Sequence, residues 1–152
     1  MSVKGELAKN YFENGYNCAQ AVALAFLEET KLEEQTLLTL TSGLGGGIGR
    51  LRGTCGAIVG AGIVMSLLYG KARPNNVEKM QIYQNIQEIG KRFIAQNGSI
   101  ICAELLGINK GPDSPQPSER TSEYYKKRPC ALLCYDTASY IEDFIKTHPI
   151  IN

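Results

Sequence analysis

Four of the five cysteines in this chain stand where helices are expected to begin. Asn17-Cys18-Ala19-Gln20, Thr54-Cys55-Gly56-Ala57 and Ser99-Ile100-Ile101-Cys102 each set a capping residue type ahead of an apolar periodic run, and Arg128-Pro129-Cys130 offers proline at a first helical position. The unpaired N–H groups of a helix start carry partial positive charge, so a thiol there ionises more readily, to pKa values of roughly 3.5–7.5 in favourable sites. Thiolates attack disulfides and ligate soft metals. The plain alternative is that cysteine, a small hydrophobe, is simply packed in a core.

Cys55 has the most suggestive neighbourhood. A glycine-rich run, Gly43-Leu44-Gly45-Gly46-Gly47-Ile48-Gly49, leads through Arg50 and Arg52 to Thr54 and Cys55. Neither G-x-G-x-x-G nor G-x-x-x-x-G-K-[ST] can be placed on it and no strand precedes it, so a nucleotide-binding reading fails. Arg50, Arg52 and Thr54 at a helix start could bind an anionic group and lower the Cys55 pKa, which makes Cys55 the thiol expected to react first. The alternative is a tight connector whose arginines face solvent.

Metal binding must be weighed wherever cysteines gather. There is no C-x-x-C and no C-x-x-C-H, and the one histidine, His148, lies beside Pro149 as a C-cap, so a local zinc knuckle is excluded. Cys18, Cys55, Cys102 and Cys130 could still converge in space on zinc or an iron–sulfur cluster. Cys130 and Cys134 are four residues apart and share a helix face; a disulfide between them would be strained. Cys134 is open to either core packing or a place at the same site. A Ser/His/Asp or papain-like arrangement finds no support in a chain with a single, terminal histidine.

The elements that must position these thiols read as helices throughout, with no sustained alternation. Helices are expected over Val3 to Glu13, Cys18 to Glu29 and Glu33 to Leu44. Gly43 to Gly49 should be irregular loop, because that much glycine is costly to hold helical. An uncharged helix from about Thr54 to Tyr69 is the expected centre. Its Gly56-x-x-x-Gly60 and Ala61-Gly62 leave the surface thin enough for another backbone to approach. Asn75-Asn76 opens a long amphipathic helix ending near Asn97-Gly98, followed by a short helix over Ser99 to Leu106. Gly107 to Arg128, with Pro112, Pro115 and Pro117, reads as a long loop, and Pro129 to Lys146 as the last helix. The expected fold is all-α, a compact multi-helix bundle around the glycine-containing central helix, formed by residues 1–152 as a single domain.

A chain of 152 residues can bury about two thirds of its unfolded surface, so cysteines are not needed as staples. Sixteen basic against fifteen acidic residues give a formal charge of +1, which argues against nucleic acid and membrane surfaces as partners. The uncharged run from Gly56 to Tyr69 is too short to span a bilayer, so no membrane insertion is expected. Met-Ser-Val-Lys-Gly-Glu-Leu lacks the apolar core of a signal peptide, which leads to the expectation of a reducing cytoplasm and free thiols. The remaining partners are a small molecule, a redox protein or a second copy of the chain in a homo-oligomer.

Taken together, Cys18 in Gly-Tyr-Asn-Cys-Ala-Gln-Ala-Val, Gly-Gly-Gly-Ile-Gly-Arg before Cys55-Gly56-Ala57-Ile58-Val59-Gly60, Cys102 before Leu105-Leu106-Gly107, and Cys130 before Asp136-Thr137-Ala138 resemble the redox-active family labelled C-GCAxxG-C-C. In this chain the order is Cys-Gly-Ala. The resemblance implies a small, mostly helical, redox-active protein whose four cysteines correspond to Cys18, Cys55, Cys102 and Cys130; Cys134 falls outside the pattern. Three hypotheses follow. The first is a thiol–disulfide redox protein, the second a zinc or iron–sulfur module for electron transfer or sensing, the third a scaffold whose cysteines only pack.

Overall fold

The computed structural model describes residues 1–150, and among these every regular element is a helix. In chain order they are α1 (Val3–Glu13), α2 (Cys18–Ala25), α3 (Leu27–Thr30), α4 (Glu34–Thr41), α5 (Gly45–Ile48), α6 (Gly56–Tyr69), α7 (Asn76–Asn97), α8 (Cys102–Leu106), α9 (Ser122–Lys127) and α10 (Cys130–Thr147). The sole extended pairing among the described residues is one isolated bridge, Thr54 to Ile101. The fold is all-α.

Helix α6 lies against α2, α7 and α10, as its uncharged sequence requires. A Cβ on Gly60 would come 2.7 Å from the Ala19 carbonyl oxygen and 3.1 Å from the Ala19 Cα, so the α2–α6 contact is backbone on backbone. Gly62 faces open space, and the close approach therefore uses Gly56 and Gly60 alone. Helix α2 buries Ala19, Ala21, Val22, Ala23, Leu24 and Ala25, and its small side chains let α1, α6 and α10 all reach it. Phe12, Phe26, Phe93, Leu37, Met65 and Ile141 fill the remaining core.

Helix starts follow local chemistry. Asn17 and Gln20 form a reciprocal capping box on α2, Asn75 caps α7 and Thr121 caps α9. The expected helix over Cys18 to Glu29 is broken at Phe26, whose backbone (φ −113°, ψ 22°) leaves the helical region before α3. Glu33 proves to be the cap of α4, its carboxylate accepting from the Thr36 amide at 2.6 Å. The short helix expected from Ser99 begins only at Cys102: the Ser99 hydroxyl accepts from the Ile101 amide, and Ile101 pairs with Thr54. The stretch read as loop from Gly107 to Arg128 contains α9, closed by a Glu123–Lys127 pair. On α7 the amphipathic pattern is only half used, since Ile89 and Phe93 are buried while Val77, Met80 and Tyr83 stand exposed.

The glycine-rich run is more ordered than loop. Gly46, Gly47, Ile48, Gly49 and Arg50 have successive φ values of 62°, 67°, 68°, 57° and 68°, a continuous left-handed turn. Left-handed backbone costs an L-residue about 1–2 kcal/mol, and for β-branched Ile48 it is a true outlier. Gly47 is the position that admits no substitute, since a Cβ there would sit 2.6 Å from the Gly53 amide nitrogen and 2.8 Å from Cys102 Cβ. Amides of Arg52 and Gly53 return to the carbonyls of Gly46 and Gly47, each at 3.1 Å, and close the turn.

Candidate functional site

The left-handed turn, the starts of α2, α6, α8 and α10, and the segment before α9 enclose a cavity of about 450 Å³. Cys18, Cys55, Cys102 and Cys130 all contribute to its wall, together with Arg50, Arg52, Arg120 and Arg128. Among the described residues no acidic side chain lines it. All five cysteines are free thiols.

Cys18 is the first residue of α2 and the one half-exposed thiol; the others are buried. Its helix start is pinned to α4 because Asn17 Nδ2 donates to the carbonyls of Thr41 and Ser42, both at 3.2 Å, and Gln20 donates to that of Leu38. Cys130 opens α10, with Cys134 one turn further along the same face. Cys18 and Cys130 line one cavity wall, and Cys134 Sγ lies 3.9 Å from the Cys18 carbonyl oxygen. The contact with Cys130 eases ionisation of Cys18, but the contact with Cys134 and burial outweigh it, leaving Cys18 well above the ordinary thiol value. Cys130 is raised too, first by its contact with Cys18 and then by burial. Cys134 is held down most by Cys18 but raised overall by desolvation together with the neighbouring Cys55 and Cys130, and its S–H also points toward the Cys18 carbonyl at 3.9 Å.

Cys55 is the N-cap of α6, 4% exposed, its amide donating to the Ile100 carbonyl at 2.7 Å. Burial pushes its thiol up to about 12; the nearby Ala57 and Ile58 amides oppose this without forming a full cap hydrogen bond. The expectation that Arg50 and Arg52 would lower Cys55 is therefore corrected, since both guanidinium groups point elsewhere.

Arg52, 4% exposed, donates through Nη1 to Cys102 Sγ at 3.5 Å and through Nη2 and Nε to Asp113 Oδ2 at 3.0 and 3.2 Å. Arg50 reaches the same carboxylate at 3.3 Å and donates to the Ser114 carbonyl. The Ser114 amide and then Arg52 hold Asp113 below the usual carboxylate range. Desolvation opposes the charge on Arg52, but Cys102 and Asp113 outweigh it and raise its pKa. The anion these two arginines bind is thus a side chain of the chain itself, while Thr54, read as part of the same anion site, sits opposite Ile101 in the isolated bridge. Cys102 is fixed by its amide, which donates to the Gly53 carbonyl at 2.6 Å.

Sequence reasoning did not find Arg120, Arg128, Asp113 or the contact of Cys134 with Cys18. The four-residue spacing of Cys130 and Cys134 was the available signal for the last. His148 caps α10, its ring stacked on Phe144 at 3.8 Å, far from thiol chemistry in role. Among the described residues no group of three or more His, Cys, Asp or Glu side chains is arranged to hold a metal ion, so the zinc or iron–sulfur reading finds no assembled ligand set. No helix of the described residues is long and apolar enough to cross a membrane.

Helix starts that carry free thiols to one cavity wall define a class of all-helical, cysteine-lined proteins. The family model described as "Putative redox-active protein (C_GCAxxG_C_C)" matches residues 16–144, and the chain belongs to that family. No curated protein and no solved structure matches it.

Proposed function

We propose that this protein carries out thiol–disulfide exchange, with Cys18 and Cys130 as the exchanging pair. The observation that carries this reading is that both thiols stand at helix starts on the wall of one cavity large enough for a small molecule. Cys18 is the entering nucleophile because it is the most exposed of the five and because its neighbour Cys130 eases its ionisation. After losing its proton to water, Cys18 Sγ attacks one sulfur of a substrate disulfide R–S–S–R. The S–S bond breaks, a Cys18–S–S–R mixed disulfide forms and one thiolate leaves. Cys130, deprotonated in turn, attacks Cys18 Sγ and expels the second thiolate. The protein loses two electrons and gains a Cys18–Cys130 disulfide, and the two protons end on the two released thiols. Run backwards, the same steps oxidise a dithiol.

The Cys134 S–H points toward the Cys18 carbonyl, and Cys55 lines the same cavity. Cys102 is the auxiliary thiol: the Arg52 guanidinium beside it stabilises negative charge gained by its sulfur. The reducing cytoplasm is the compartment in which five free thiols would persist, and the partner is a small molecule or a redox protein. The test is to oxidise the reduced protein with a small disulfide, quench with acid and map the products by mass spectrometry. A Cys18–Cys130 disulfide formed reversibly is the expected product; five thiols that stay unmodified would sink the reading.

A further inference from the structure

The cavity wall beside Cys130 carries two guanidinium groups with no counter-charge among the described residues. Arg120 Nη1 and Nη2 donate to the carbonyls of Phe12 and Tyr16 at 2.9 and 3.2 Å, and its Cζ stacks 4.3 Å from the Phe12 ring centroid. Arg128 lies over Tyr124, 5.3 Å from the ring centroid. These contacts aim the two side chains without neutralising them. Among the described residues neither has a carboxylate within ion-pair distance, in contrast to Arg50 and Arg52, which share Asp113. Both line the same cavity as Cys18 and Cys130, and Arg128 is two residues from Cys130 along the chain.

From this juxtaposition we infer that the substrate is a small anionic disulfide, one bearing carboxylates, whose acidic group is received by Arg120 and Arg128 while its S–S bond lies against Cys18 and Cys130. The inference rests on the exchange reading above and adds the substrate class to it. Planar guanidinium forks match a carboxylate in shape and charge, and two of them on a half-enclosed wall without acidic residues repel cationic thiols and select anionic ones. Leu105, Leu106, Leu133 and Pro117 complete the lining and suit the methylene chain between the acid and the sulfur. The volume admits a small molecule and not a folded protein's buried disulfide.

The test uses the full chain, reduced, and three disulfides of similar size: 3,3′-dithiodipropionate (anionic), 2-hydroxyethyl disulfide (neutral) and cystamine (cationic). Rates of Cys18 oxidation are divided by those of a small free thiol with the same reagents. The anionic disulfide is expected to be favoured over the neutral one by about tenfold or more at low salt, and the preference to shrink with added salt. Arg128→Gln should remove most of that preference, read as a fall in the ratio of anionic to neutral rates. Equal normalised rates across the three disulfides, with the Cys18–Cys130 disulfide still forming, would overturn the substrate class and leave the exchange reading intact.

A second arm removes sulfur chemistry altogether. Suberate, which replaces the S–S of dithiodipropionate by two methylenes, is titrated calorimetrically into Cys18→Ser/Cys130→Ser protein. Binding that is lost in an added Arg120→Gln/Arg128→Gln background, checked for native helicity, supports the anion site even if no exchange is seen. No binding of suberate to the folded Cys18→Ser/Cys130→Ser protein overturns it.

Discussion

On the α2/α10 side of the cavity Cys18 faces two other thiols, Cys130 and Cys134, whereas on the α8 side Cys102 faces the guanidinium of Arg52. Both sulfurs belong to the first residue of a helix. What separates them is the partner each meets across the fold. A thiol among thiols has no fixed charge to lean on, so proximity suits it to forming a disulfide and burial keeps it protonated. A thiol beside a buried cation is suited to carrying charge. The helix start supplies a common geometry, and the long-range neighbour decides the chemistry built on it.

The harshest test of this division is to remove one member of the thiol pair. Cys130→Ser is expected to abolish the intramolecular disulfide and to trap the Cys18 mixed disulfide, seen as a mass increase equal to one substrate half. Cys102→Ser should leave the Cys18–Cys130 disulfide to form. Equal losses in the two variants would erase the distinction between the walls.

Alkaline pH should unsettle the thiol-rich side. Burial raises Cys55 from 9.0 to about 12 in the folded state, and Cys18, Cys130 and Cys134 are raised as well. For a group whose folded pKa is raised, the stabilisation is complete below the unfolded value and is lost as pH climbs toward the folded one. Stability is therefore expected to be flat up to about pH 9 and to fall between there and about 12, by up to about 1.4 kcal/mol per pH unit for each such thiol. Urea denaturation of the reduced protein across that range checks this, and Cys55→Ala should give a shallower fall than the parent.

Matched glycine substitutions press on each wall separately. Gly47→Ala should destabilise by about 3 kcal/mol, because left-handed backbone is costly for alanine and its Cβ meets the Gly53 amide and Cys102. Gly56→Ala meets Cys18 Cβ at 2.9 Å and should cost less, about 1 kcal/mol, since φ there is unremarkable and alanine favours the helix. Chemical denaturation midpoints compare the two. If Gly47→Ala proved the milder change, the left-handed turn would not be the rigid support of Cys102 described here.

The smallest effect is kinetic. Arg52→Gln should slow alkylation of Cys102 near neutral pH several-fold and leave that of Cys18 nearly unchanged, as read by mass mapping of a short labelling pulse. Asp113→Asn, which keeps Arg52 and frees it from its carboxylate, should act in the opposite direction on Cys102.

Local chemistry made much of this protein legible from its residues. Asn17 with Gln20, and Asn75, mark helix starts through hydrogen bonds spanning three residues, and Gly56-x-x-x-Gly60 marks a close helix contact because only absent side chains permit one. The all-helical class, the central helix and the placement of four cysteines at helix starts were readable on the same grounds. The break at Phe26 and the helix α9 hidden in a proline-rich segment were not, because packing and a single cap, not periodicity, set them.

The tertiary structure alone decided where charge goes. Arg50 and Arg52 stand four and two residues before Thr54, which leads into Cys55 and its helix, and sequence proximity suggested that they serve that thiol. The left-handed turn instead swings Arg52 toward Cys102 and both arginines toward Asp113, some sixty residues on. Arg120 and Arg128 come to the cavity from a segment that has no motif at all. Caps and periodic faces depend on neighbours within one or two turns, whereas a long side chain's partner is whatever the fold sets within its reach, and that distance is written in no local pattern.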